Sequence, residues 1–191
     1  MTNKTILVIT DGIGHNDSSN YNALKNANAP TYDYLFKNTL NSNYSLDVFL
    51  VDDGSTDGTS TAVKNKYPEV TIIKGSGNLF WNQGMRLAWN TAVKTKEYDF
   101  YIWLNDDTLL FEDSIVELFS TYTEAMQQFK TQVVVTGACK LSNKIAEFSY
   151  GGRTENGPLI PNGTIQTCKY INGNIVLVPR GVYKQLGNLS N

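Results

Sequence analysis

Val48-Phe49-Leu50-Val51-Asp52-Asp53-Gly54-Ser55-Thr56-Asp57-Gly58-Thr59 is the stretch that decides the fold. An unbroken apolar run ends in two carboxylates, a glycine and a string of small polar residues. A strand buried on both faces reads this way when its C-terminal end opens onto a ligand pocket. A second stretch repeats the pattern: Tyr98-Asp99-Phe100-Tyr101-Ile102-Trp103-Leu104-Asn105-Asp106-Asp107-Thr108 also runs from apolar residues into paired aspartates. Carboxylate pairs at the tips of two strands of one sheet point to a site for a polar ligand, a divalent metal, or both.

Working outward, the 191 residues suffice for one domain with a substantial core. Hydrophobic residues make up 41% and charged residues 18%, the balance of an ordinary globular protein. The net charge of -2, with no run of Lys or Arg, argues against a nucleic-acid surface. No apolar stretch approaches the roughly 20 residues of a membrane helix. The run Ile6 to Ile9 meets Asp11 too early to be the core of a signal peptide. Cys139 and Cys168 are too few for a disulfide framework and lack metal-ligand spacing, which fits a reduced cytoplasmic setting. His15 is the single histidine, so a histidine dyad is not available.

Strands and helices alternate along the chain. Strands are expected at 5–10, 46–51, 70–74, 100–104, 133–137 and 174–178. Helices are expected at 30–40, 56–66, 82–94 and 112–129, with a further helix starting at Arg180. The segment 151–163, rich in Gly, Asn and Pro, reads as a surface loop or irregular hairpin. This order predicts an α/β domain with a mostly parallel sheet and helices on both faces.

Each carboxylate pair has two readings. Asp106 and Asp107 suit a Mn²⁺ or Mg²⁺ ion, which takes oxygen ligands and is held by one or two carboxylates plus substrate phosphates. Equally, either aspartate suits the cap of the helix that follows. Asp52 and Asp53 suit hydrogen bonding to a nucleotide beside Gly54, or simply a strand-to-helix turn capped by Ser55, Thr56 or Asp57. Two such turns on one edge of a parallel sheet tell more than either alone.

Val51 to Thr59 resembles the nucleotide-binding motif of inverting, type-A family-2 glycosyltransferases, and Asn105-Asp106-Asp107-Thr108 resembles their acidic metal-binding motif. Between them, Gly75-Ser76-Gly77-Asn78-Leu79-Phe80-Trp81-Asn82-Gln83-Gly84-Met85 is similar to a segment of bacterial rhamnosyltransferase-like members. The resemblance runs from about residue 44 onward. It implies a Rossmann-like nucleotide-diphospho-sugar transferase sheet and inverting transfer of a sugar to an acceptor hydroxyl in surface polysaccharide synthesis. The implied donor is UDP- or dTDP-linked, and the acceptor a glycan or lipid-linked glycan. Carried over, Asp53 with Asp52 meets the base or ribose, Asp106 the ribose or diphosphate, and Asp107 the metal, Mn²⁺ or Mg²⁺. Gly77, Asn78 and Trp81 border the donor, and the region of Gly151-Gly152-Arg153 shapes the sugar and acceptor sites. Tyr170-Ile171-Asn172-Gly173-Asn174 resembles the segment beneath the acceptor pocket. The implied location is the cytoplasm, peripheral to the inner face of a membrane.

The chain departs from this family at both ends. Residues 4–40, with Asp11 and Ala29-Pro30-Thr31-Tyr32-Asp33-Tyr34, resemble the start of cofactor-independent phosphoglycerate mutase, where the residue at Asp11 ligates a metal. The mutase's phosphorylated serine segment and remaining ligands have no counterpart downstream. The expectation is a chimera forming one domain over 1–191, with 1–43 as an atypical first β-α unit and 44–191 as the nucleotide-sugar core. At the other end, Gly187 to Asn191 falls where the family continues toward its catalytic base. The expectation is therefore a C-terminally truncated domain without that base. It either transfers sugar or serves as a noncatalytic, fragmentary sugar-nucleotide-binding module.

Overall fold

The computed structural model describes residues 3–10, 35, 44–142 and 145–190. The expected helix over 30–40 lies outside the described residues except at Leu35, which is helical and buried; Asp11 and His15 lie outside them too. Strand β1 (Asn3–Thr10) and strand β2 (Tyr44–Asp52) are followed by helix α1 (Thr59–Lys66), β3 (Thr71–Lys74), α2 (Phe80–Thr95), β4 (Phe100–Asn105) and α3 (Ser114–Phe129). Short strands come next: β5 (Val135–Thr136), β6 (Cys139–Ser142), β7 (Ile145–Tyr150), β8 (Gly152–Thr154), β9 (Gly157–Pro158) and β10 (Tyr170–Ile171). Strand β11 (Ile175–Pro179) and helix α4 (Arg180–Leu186) complete the order.

The main sheet has the order β3-β2-β1-β4-β11-β5. Strand β1 pairs in parallel with β2 on one side and β4 on the other, and β2 pairs in parallel with β3. Strands β11 and β5 extend the sheet with antiparallel pairings. The chain therefore winds from β1 outward through β2 and β3, then returns past β1 to place β4. That reversal lies between β1 and β4, and open α/β sheets bind ligands outside the strand ends at such a reversal.

Alternation along the strands sorts the core into two layers. Val48 and Leu50 of β2, Ile102 and Leu104 of β4, and Ile175 and Leu177 of β11 face Val63 of α1 and Ile115, Leu118 and Phe119 of α3. Phe49, Val51, Tyr101, Trp103, Val176 and Val178 face the opposite layer, where α2 contributes Met85, Ala88, Trp89 and Ala92 and α4 packs Val182 and Tyr183. The spacing of the α2 residues is one stripe of a helix. Each fully buried aliphatic or aromatic side chain here contributes about 1.5–3 kcal/mol relative to an exposed one. Among the described residues, helices thus cover both faces and none covers the C-terminal edge of β1, β2 and β4.

Some boundaries differ from the expected ones. Helix α1 starts at Thr59 rather than at residue 56, because Gly58 takes a left-handed conformation (φ 85°). Asp57 spans that turn by accepting hydrogen bonds from the Thr59 N–H (3.0 Å) and hydroxyl (2.6 Å), and it is Gly58 that occupies the cap position. Helix α3 starts at Ser114, so neither Asp106 nor Asp107 caps it. The region 151–163 forms the β8-β9 hairpin, joined antiparallel by β10. The β6-β7 hairpin has no counterpart among the expected elements. Its residues alternate too irregularly, and its pairing shifts register twice.

Candidate donor-binding edge

Register places the two acidic turns at one level. Thr10 of β1 lies beside Val51 of β2 on one flank and Asn105 of β4 on the other. Asp52-Asp53 and Asp106-Asp107 therefore leave the sheet on either side of the β1 terminus, two strand spacings apart, or about 10 Å.

The first turn is engaged within the fold. Asp52 is fully buried, and its Oδ1 accepts the Ser55 N–H at 2.8 Å. Its Oδ2 accepts the Ser60 hydroxyl from α1 and the Lys74 ammonium, at 2.5 Å, from the end of β3. Lys74 also donates to the Ser60 hydroxyl at 2.6 Å. Burial alone would raise the Asp52 pKa, but Lys74, Ser60 and Ser55 together outweigh it and hold the carboxyl down at about 2. Asp53, half-buried, ties down the loop after β3. Its Oδ1 accepts the Gly77 N–H at 2.6 Å and its Oδ2 the Leu79 N–H at 2.7 Å. Gly77 has φ 89°, a backbone state that glycine adopts without strain. Asn78, beside it, is exposed.

Trp81, in the first turn of α2, bridges to the second acidic turn. Its indole N–H donates to Asn105 Oδ1 at 2.6 Å, and its ring meets Trp103 edge-on at 6.1 Å between centroids. Gly173 is packed so closely against that ring that a Cβ there would lie 2.1 Å from Trp81 Cζ2. The Asn105 N–H donates to the Asn174 carbonyl at 3.0 Å, and the Asn172 N–H to the Gly151 carbonyl at 3.1 Å. The segment 172–174 thereby fastens the small β8-β9-β10 sheet to the tip of β4. Arg153, half-buried, lies in that sheet opposite Tyr170.

Asp106 is half-buried and Asp107 exposed at the lip. Burial pushes the Cys139 thiol pKa up, and the Asp107 carboxylate adds to the rise. Among the described residues no cluster of three or more His, Cys, Asp or Glu gathers to cage a metal. The donor set nevertheless fits Mg²⁺ or Mn²⁺ of the substrate-completed type, which needs only one or two carboxylates beside ligand phosphates and water.

Every expected site residue among Asp52, Asp53, Gly77, Asn78, Trp81, Asp106 and Asp107 lies on this edge or on the loop and helix start that border it. Sequence reasoning did not single out Lys74, Ser60, Asn105 or Gly173 for the contacts they make. Asn105 stood in plain view beside the aspartates. Lys74 becomes visible only once the β2-β3 register sets it opposite Asp52.

Fold and edge together define a Rossmann-like α/β protein whose two acidic turns flank a strand reversal. The family model Glycosyl transferase family 2 matches residues 20–173, and the chain belongs to that family. Among solved structures, S. aureus TarS 1–349 in complex with UDP superposes with a TM-score of 0.53 at 13% identity, covering 96% of this chain and 48% of that one. CMP:2-keto-3-deoxy-manno-octonic acid synthetase complexed with CTP gives 0.52 at 16% identity, covering 97% of this chain and 79% of the synthetase. At these identities the likeness is one of fold.

A different relative matches over a short stretch. The 2,3-bisphosphoglycerate-independent phosphoglycerate mutase of Aliarcobacter butzleri (strain RM4018) is 66% identical over 38 residues, 20% of this chain and 8% of the mutase. The chain thus spans less than a tenth of that mutase and about half of the TarS chain. A match of this extent is consistent with a mutase-like segment joined to a glycosyltransferase core.

Proposed function

We propose that this chain binds a nucleoside-diphosphate sugar at the open edge and forms the donor-binding core of a glycosyltransferase. The observation that carries the reading is the level placement of the two acidic turns on either side of the β1 terminus, in a family-2 chain. Asp53 meets the base or ribose, and Asp52 serves by holding the turn that presents it. Gly77, Asn78 and Trp81 border the donor, and Asp106 approaches the ribose or diphosphate. Asp107, with Asp106 beside it, would hold Mn²⁺ or Mg²⁺. When bound, such an ion neutralises charge on the departing diphosphate.

The chemistry is an in-line attack by an acceptor hydroxyl on the anomeric carbon, with inversion and loss of the nucleoside diphosphate. The Trp81–Asn105 hydrogen bond ties the two sides of the edge together, which would help to keep the donor oriented for that attack. We assign no catalytic base. A glycan or lipid-linked acceptor in surface polysaccharide synthesis, and a cytoplasmic place peripheral to the membrane, complete the proposal. No helix among the described residues is long and apolar enough to cross a membrane.

Calorimetric titration of UDP and dTDP, with and without Mn²⁺, tests the donor site in the wild type and in Asp107→Ala. Metal-dependent binding that disappears in the variant is expected. Absence of binding by folded wild-type protein would refute the donor site. Binding without sugar transfer to any supplied acceptor would leave a noncatalytic donor-binding module as the function.

A further inference from the structure

Phe80 is the most exposed large hydrophobic residue described, at 82%. Its backbone is left-handed, with φ 52°, a conformation that a bulky side chain adopts only under constraint. The constraint comes from both neighbours. Leu79 is pinned through its N–H to Asp53 Oδ2 at 2.7 Å, and Trp81 through its indole N–H to Asn105 Oδ1 at 2.6 Å. Those two anchors belong to the tips of β2 and β4, so Phe80 stands between them at the β1 reversal. Leu79 and Trp81 pack against the apolar core of that face, while the ring between them contacts water. Glycine or asparagine would adopt this backbone with less strain. Burial of the ring offsets none of the cost, because the ring is not buried.

A strained residue at a ligand edge, held in place by its neighbours while its own ring stays exposed, marks a contact made with something else. We infer that Phe80 is a stacking surface for the pyranose ring of a substrate sugar, an inference that rests on the donor-site reading above. The face of a phenyl ring is electron-rich and accepts the weakly positive C–H face of a pyranose. The hydroxyl rim of such a sugar needs groups that both donate and accept hydrogen bonds. Carboxamides do both, and Asn78 and Asn82 stand exposed on either side of Phe80 in the chain. The Asn82 amide also donates to the Ser190 carbonyl at 2.9 Å, so Asn78 is the exposed amide left to meet such a rim. An aromatic platform with an amide close in the chain complements a sugar better than a charged ligand. The sugar is either that of the donor or that of the acceptor, which share this chemistry.

Wild type, Phe80→Ala, Phe80→Tyr and Phe80→Gly are titrated with UDP, UDP-sugars, dTDP-sugars and a panel of methyl pyranosides and short oligosaccharides, and their melting temperatures are recorded. For Phe80→Ala, bare UDP affinity is expected to stay within about twofold while affinity for the stacked sugar falls about tenfold. Loss confined to sugar nucleotides assigns the donor sugar; loss confined to glycosides assigns the acceptor. Phe80→Tyr keeps the affinity. Phe80→Gly melts higher than wild type, since the strain is relieved, yet loses the sugar as Phe80→Ala does. Opposite movement of stability and affinity is something a structural role would not produce. Equal loss for bare and sugar-bearing nucleotides would overturn the inference in favour of a base platform. Sugar affinities that are the same in every variant would overturn it outright. If wild type binds no nucleotide, the donor-site reading fails and the glycoside panel decides alone: Phe80-dependent binding upholds the inference, and no binding overturns it.

Discussion

The β2 and β4 turns carry the same written pattern, an apolar strand ending in Asp-Asp, and the fold uses them in opposite ways. At the β2 tip, Asp52 is sealed in and joined to Ser55, Ser60 and Lys74, while Asp53 holds the loop at Gly77 and Leu79. At the β4 tip, Asp107 faces solvent, and the link to the rest of the edge is made by Asn105 through Trp81. Asp52 and Asp53 act mainly as a joint, and Asp107 as an open lip. The difference comes from neighbours. Strand β2 is flanked by β3, whose last residue supplies a cation, and is followed closely by α1, which supplies a hydroxyl. Strand β4 is followed by eight residues before α3 begins. Asp52 and Asp107 thus differ through the donors that tertiary structure brings to Asp52.

The comparison breaks most visibly at Asp52. Replacing it with Ala leaves the half-buried Ser55 N–H and Ser60 hydroxyl without their acceptor and removes the buried partner of Lys74, whose own ammonium stays in water. We expect a loss of about 2–3 kcal/mol in urea unfolding, from the unsatisfied hydrogen-bond donors. A loss below about 1 kcal/mol would show that the joint is not structural. Asp107→Ala is expected to do the reverse. It should weaken metal-dependent nucleotide binding by about 100-fold or more, or about 2.7 kcal/mol, and leave the unfolding midpoint nearly unchanged.

Acid should sharpen the contrast. The folded Asp52 pKa is depressed from 3.8 to about 2, so its contribution of about 2 kcal/mol is present above pH 4 and disappears as pH falls toward 2. Unfolding free energy measured from pH 5 to pH 2 should fall less steeply in Asp52→Asn than in wild type. The smallest effect is expected for Ser60→Ala. It removes one of the hydrogen bonds to Asp52, should cost about 1 kcal/mol of stability, and should leave nucleotide affinity intact.

Much of the architecture was legible in advance because it depends on local pattern. The apolar runs ending in carboxylates announced β2 and β4, and the helix expected over 82–94 is α2, which buries Met85, Ala88, Trp89 and Ala92. The α1 start was misjudged because Ser, Thr and Asp at 55–57 all suit a cap, and only the left-handed turn at Gly58 decides among them. The antiparallel direction of β11 could not be read, since a buried strand has the same composition whichever way it runs. The short β6-β7 hairpin lacked the alternation that would have revealed it.

The amino-acid sequence by itself determined an α/β order of elements with acidic turns at its strand ends, which follows from periodicity and from motifs contiguous in the chain. The resemblance of those motifs, and the match of the family model, place it in glycosyl transferase family 2. Tertiary structure alone decided which carboxylate is buried and which is open, that Lys74 meets Asp52 and Trp81 meets Asn105, and that Phe80 stands strained and exposed between two anchors. Those contacts join residues 22 to 24 positions apart, and they exist only because parallel register brings distant strand ends level at one edge.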